Sequence, residues 1–130
     1  MGPRTVLIVS HGSRETSANR EFVRLVAKYR ERHPRWKVGH AYLDVVGPTI
    51  HQGLAHLAHD MEKGTIEVLP YFLFRAKHVK KDIPAILAAF QKERPGIKVH
   101  LAKPLGDDPR LLHILDQRLP PTRKNKSRKG

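Results

Sequence analysis

Four short runs rich in β-branched and apolar residues alternate with four stretches of helical periodicity, and this alternation limits the chain more than anything else in it. Thr5-Val-Leu-Ile-Val-Ser10 is a compact buried strand. Phe22, Leu25, Val26 and Tyr29 then recur at helical spacing, predicting a helix from about Thr16 to Arg32 that ends before Pro34. Trp36 to Leu43 is the second strand, interrupted by Gly39 and His40. Ile50, Leu54, Leu57, Ala58 and Met61 mark the buried face of a second helix, with Pro48 at its first turn and Gly64 closing it. Ile66 to Leu69 begins the third strand, and Pro70 requires a bulge or the strand's end nearby. Asp82-Ile-Pro84 reads as the start of a third helix whose core face is Ile83, Ile86, Leu87 and Phe90, closed by Pro95-Gly96. Ile97 to Leu101 is the fourth strand. Asp107-Asp108-Pro109 starts a last helix carrying Leu111, Leu112, Leu115 and Leu119. An alternating βαβαβαβα pattern predicts an α/β fold, an open parallel sheet of about four strands flanked by helices.

Charge and composition narrow the function classes. The 130 residues suit one domain, with 1–119 as the folded unit and 120–130 as a basic tail. There is no cysteine, so disulfides, thiolate metal sites and cysteine nucleophiles are excluded. No leader segment and no run long enough to cross a membrane is read from the sequence, and a cytoplasmic protein is expected. The net charge is +13. The tail holds five Lys or Arg and no acid, which leaves 20 basic against 12 acidic residues, or +8, in the body. The tail has the composition of a disordered segment. A body at +8 points to a polyanionic small molecule or to nucleic acid.

In such a sheet the first three strands open on one edge, so three groups are expected to converge: His11, Asp44 and His78. Two imidazoles and a carboxylate suit a divalent transition metal, and the same groups suit general-base work. A cationic segment with Arg75, Lys77, Lys80 and Lys81 surrounds His78. His56 and His59 fall on the solvated side of the second helix, and His51 lies at the border of that side. Trp36 reads as core or interface.

Ser10-His-Gly-Ser-Arg14, Ala41-Tyr-Leu-Asp44 with Pro48-Thr-Ile50, and Pro70-Tyr-Phe-Leu-Phe74 with Lys77-His-Val79 and Asp82-Ile-Pro84 resemble the short CbiX-type sirohydrochlorin chelatases. The resemblance runs from about residue 5 to 119. It implies a chelatase-like fold and insertion of a divalent metal into sirohydrochlorin for cobalamin or sirohaem synthesis, with Co²⁺ first and Fe²⁺ or Ni²⁺ as alternatives. By the same resemblance His11 and His78 bind the metal, His11 takes protons from the macrocycle, and the chain works as a homodimer. Substrate contacts are implied for Asp44, Gly47, Leu73, Phe74, Arg75, Ala76 and Lys77, with Ser13, Arg14, Lys80 and Lys81 as further candidates. The chain departs from the family pattern in three places. Asp44 stands where glutamate is common, Gly47 where some members carry an acid, and Arg75-Ala76-Lys77 where a small residue and glycine are usual.

The residues agree with that chemistry. Metallation removes two pyrrole protons from a polycarboxylate ring, work suited to neutral imidazoles inside a cationic rim. No Gly-rich phosphate motif is present, so no nucleotide is expected. Rival readings are a metal carrier without turnover, or a basic nucleic-acid-binding protein. The latter lacks interleaved aromatics, and neither a membrane nor nucleic acid is an expected partner.

Overall fold

Residues 2–74, 76–106 and 108–122 are described in a computed structural model, with His78 described by its backbone alone. Eight elements alternate in order: β1 (Thr5–Ser10), α1 (Thr16–Arg32), β2 (Lys37–Tyr42), α2 (Ile50–Ala58), β3 (Gly64–Pro70), α3 (Lys77–Glu93), β4 (Ile97–Leu101) and α4 (Pro109–Arg118). The four strands form one parallel sheet in the order β2-β1-β3-β4. No helix among the described residues is long and apolar enough to cross a membrane. The basic tail expected at 120–130 falls outside the described residues from 123 onward.

Strand alternation builds two cores. Leu7 and Val9 of β1, Ile66 and Val68 of β3 and Ile97 of β4 turn to one face, where α2 and α3 bury them with Leu54, Ile83 and Phe90. Val6 and Ile8 turn to the other face with Val38 and Tyr42, under Phe22 and Val26 of α1. Burial first, and the charge of Arg30 second, hold the His40 imidazole on β2 below its ordinary pKa. Helix α2 lies so close to the sheet that a Cβ on Gly53 would sit 2.8 Å from Leu7 Cδ1 and 3.1 Å from the Ala41 methyl. Its N-terminus carries a full capping box, Thr49 Oγ1 accepting from Gln52 N while Gln52 Oε1 accepts from Thr49 N.

Three boundaries differ from the sequence expectation. Helix α2 ends at Ala58, and Gly64 opens β3 instead of closing the helix. Its last carbonyls are satisfied by side chains from elsewhere: Lys37 Nζ donates to Leu57 O, and the Arg94 guanidinium donates to Ala58 O and, just past the helix, to Met61 O. Helix α3 begins at Lys77, five residues before Asp82, so Pro84 lies inside the helix and the cationic segment is helical. The reason is Val79, which is buried and extends the stripe of Ile83, Leu87 and Phe90 one turn backward. Helix α4 has no buried residue, and Leu112, Leu115 and Leu119 face solvent. Pro70 is the last residue of β3, as a residue without a donor should be. Trp36 is half-buried, its ring stacked 3.7 Å from that of His33 with the Arg4 guanidinium above it.

Candidate functional site

The connection from β1 leads to β2 on one side, while β3 pairs on the other, so the topological switch lies between the carboxyl ends of β1 and β3. Open α/β sheets hold ligands at such a point, because the two connections diverge and leave a crevice there. His11 is the first residue past β1 and Phe72 the second past β3, and their rings lie 4.5 Å apart. Phe72 is buried at 9% exposure, whereas His11 remains open to solvent. The exposed imidazole thus stands against an apolar ring at the crevice.

The His11 backbone is fixed by its neighbours. Leu43 N donates to Ser10 O at 2.8 Å, and Asp44 N donates to His11 O at 3.0 Å, so the end of β2 is stitched onto the turn. Gly12 has φ +91°, and a Cβ there would lie 2.1 Å from Asp44 O. Only glycine permits both the left-handed backbone and that approach. Ser13 is spent on the same turn: its hydroxyl accepts from Glu15 N, and its backbone exchanges two hydrogen bonds with the Asn19 amide.

Asp44, expected at the substrate, has a local partner. Its Oδ1 accepts from Val45 N at 2.8 Å, while its carbonyl accepts from Val46 N at 2.8 Å across a three-residue turn. Val45, at the centre of that turn, has φ +74°, a strained position for a β-branched residue. The carboxylate therefore braces a turn beside His11 from an exposed position. Gly47 and Arg14 are also exposed.

His78 lies in the first turn of α3, the helix that follows β3. Its side chain and all of Arg75 lie outside the described residues. Among the described residues no group of three or more His, Cys, Asp or Glu side chains is placed to hold a metal ion. Ala76 occupies the N-cap of α3 without a side-chain cap. Lys77, Lys80 and Lys81 are exposed on the first turns of that helix.

Beside this segment opens a cavity of about 980 Å³, bordered by Leu73, Phe74 and Lys80 on one side and by Lys103, Leu105 and Arg110 on the other. Phe74, on the wall of this cavity, is 70% exposed. The second wall was not legible in the sequence. The β4–α4 connection is pinned to the first by backbone bonds, Leu105 N to Phe72 O and Gly106 N to Leu73 O, and such bonds leave no residue signature. Its one signal was Lys103, a cation just past a strand that ends on this edge. Arg110 is already engaged, since its guanidinium donates twice to Asp108 and holds that carboxyl at about 2. His51, by contrast, bonds Glu93 at the far end of α3, and His56 and His59 are exposed on α2's outer side.

The family model described as CbiX matches residues 5–122. The chloroplastic sirohydrochlorin ferrochelatase of Arabidopsis thaliana is 30% identical over 114 residues, covering 88% of this chain and 50% of that protein. The sirohydrochlorin cobaltochelatase of Sulfurisphaera tokodaii is 30% identical over 117 residues, covering 88% of this chain and 89% of that one. The crystal structure of the sirohydrochlorin chelatase SirB from Bacillus subtilis subspecies spizizenii, in complex with cobalt, superimposes with a TM-score of 0.77 at 27% identity. It spans 90% of this chain and 50% of that one. The chain thus spans about half the length of some relatives and nearly the whole of another.

Proposed function

The chain belongs to the CbiX family, and on that premise we propose that it inserts a divalent metal, Co²⁺ first and Fe²⁺ as the alternative, into sirohydrochlorin as a cytoplasmic homodimer. The observation that carries this reading is an exposed imidazole at the topological switch point. His11 sits on Phe72, with His78 one connection away at the start of α3.

The chemistry asks for few groups. The metal must be held loosely enough to be surrendered, and two pyrrole protons must leave as it enters the ring. His11 and His78 hold the incoming metal through neutral nitrogens, and His11 accepts a proton from the ring; the solvent-open edge carries the protons away. Leu73 and Phe74 lie against the apolar plane of the macrocycle. Ala76 keeps the approach open, and Arg75, Lys77, Lys80 and Lys81, with Arg14 across the crevice, meet its carboxylates. Asp44 and Gly47 border the same edge, Asp44 by holding the turn that seats His11. Both metals among the named relatives are borderline acceptors for imidazole, so ligand type alone leaves both open.

The test is anaerobic metallation of sirohydrochlorin followed by absorbance, with Co²⁺, Fe²⁺ or Ni²⁺. Wild type is expected to exceed the protein-free rate, and His11→Ala and His78→Ala each to lose about 10²-fold or more. A folded wild-type protein that binds metal but leaves the rate at the protein-free level would overturn the enzyme reading in favour of a carrier.

A further inference from the structure

The cavity beside Phe74 has two walls of different construction. The first comes from the β3–α3 connection and the start of α3, with Leu73, Phe74 and Lys80 on the cavity and Lys77 and Lys81 exposed nearby in sequence. The second comes from the β4–α4 connection and carries Lys103, Asp108 and Arg110. Lys103 is held from both sides. Ala102 N donates to Val68 O at 2.9 Å just before it, and Leu105 N donates to Phe72 O at 3.0 Å just after it. Gly106 N then donates to Leu73 O at 2.9 Å, and a Cβ on Gly106 would lie 2.9 Å from that oxygen, so a side chain there would push the two walls apart. The backbone around Lys103 is therefore registered on the segment that carries Phe72, the ring against His11.

The three charged groups of the second wall are not equivalent. The Arg110 guanidinium donates to both carboxylate oxygens of Asp108, so these two charges cancel. The same contact holds the Asp108 carboxyl at about 2, and well above that value it stays ionised and paired. Lys103 is exposed and makes no ion pair among the described residues. We propose that Lys103 determines specificity: its ammonium takes one carboxylate of the macrocycle on the second wall while Lys80 takes another on the first, so the cleft selects tetrapyrroles with acid arms around the whole rim. The proposal rests on the reading of this cleft as the seat of sirohydrochlorin. A ring with carboxylates along one edge satisfies one wall and leaves the other cation without a partner, whereas arms on every side satisfy both. Arg110 is a positioning residue for the same contact, since it cancels the Asp108 charge that would repel the arm held by Lys103.

The test is metal-free titration of sirohydrochlorin and of protoporphyrin, whose carboxylates lie along one edge, each followed by its own fluorescence. Lys103→Ala is expected to weaken sirohydrochlorin by about 10-fold and protoporphyrin by less than about 2-fold, because a one-edged ring can turn to the first wall. Lys103→Arg keeps most of the affinity. Arg110→Ala also weakens sirohydrochlorin, and adding Asp108→Asn to that variant restores it, because both the native pair and the doubly changed one are neutral. In metallation Lys103→Ala raises KM and leaves kcat unchanged. Unaltered sirohydrochlorin affinity in a folded Lys103→Ala protein would overturn the proposal, as would an equal loss for both rings. The two readings fail separately: a wild type that binds sirohydrochlorin through Lys103 yet metallates nothing sinks the chelatase alone, and a metallating protein indifferent to Lys103→Ala sinks the second-wall contact alone.

Discussion

At the scale of single residues the site depends on backbone geometry as much as on side chains. Gly12 accepts φ +91° and lets Asp44 O approach to where a Cβ would stand 2.1 Å away. Gly12→Ala must either push the end of β2 off the His11 turn or rotate the turn itself. The expected cost is about 1–3 kcal/mol, read as a lower urea midpoint. Metallation should fall with it even where folded protein remains, because His11 is the adjacent residue. An unchanged midpoint would show that the turn relaxes freely. The sequence displayed His11 and Gly12 as a turn after a strand, since a β-branched run ending in small polar residues has few other uses. It did not display the job of Asp44, because a carboxylate that braces a three-residue turn and one that faces a ligand are the same letter.

At the scale of elements, the strands and the first two helices were legible because one-sided and two-sided burial leave different periods in the sequence. Helix α3 was placed five residues late, since lysines at 77, 80 and 81 imitate a solvated loop and only the buried Val79 betrays the extra turn. That correction matters to the site, for it moves His78 from a loop to a helix. The leucines of α4 recur at helical spacing, yet the helix buries none of its residues: amphipathic spacing says that a helix has an apolar side, not what covers it. The box at Thr49 and Gln52 satisfies donors at the start of a short helix that packs directly on β1 and β2. Thr49→Ala is expected to lose about 1 kcal/mol in urea unfolding, with Thr49→Ser retaining most of it. Equal losses in both variants would place the contribution in the threonine methyl instead of the hydroxyl.

At the scale of the whole molecule, the question is whether the positive charge belongs to the tail or to the fold. Composition alone left a body at +8 after the tail was set aside, and the fold distributes part of it around one edge. Arg14, Lys77, Lys80 and Lys81 are exposed at the ends of β1 and β3, and Lys103 joins them from β4. A polycarboxylate approaching that edge is drawn over a distance set by the Debye length, about 10 Å at 0.1 M salt and about 3 Å at 1 M. The metallation rate at low sirohydrochlorin should therefore fall by about 10-fold or more between those salts, while the rate at saturating substrate changes little, because steering acts on encounter and not on proton loss. Deleting residues 120–130 should leave most of that salt dependence in place, whereas Lys80→Ala combined with Lys103→Ala should flatten it. Were the tail deletion to flatten the profile and the paired lysine variant to leave it steep, the attracting charge would belong to the tail, and the cationic cleft would lose its part in binding.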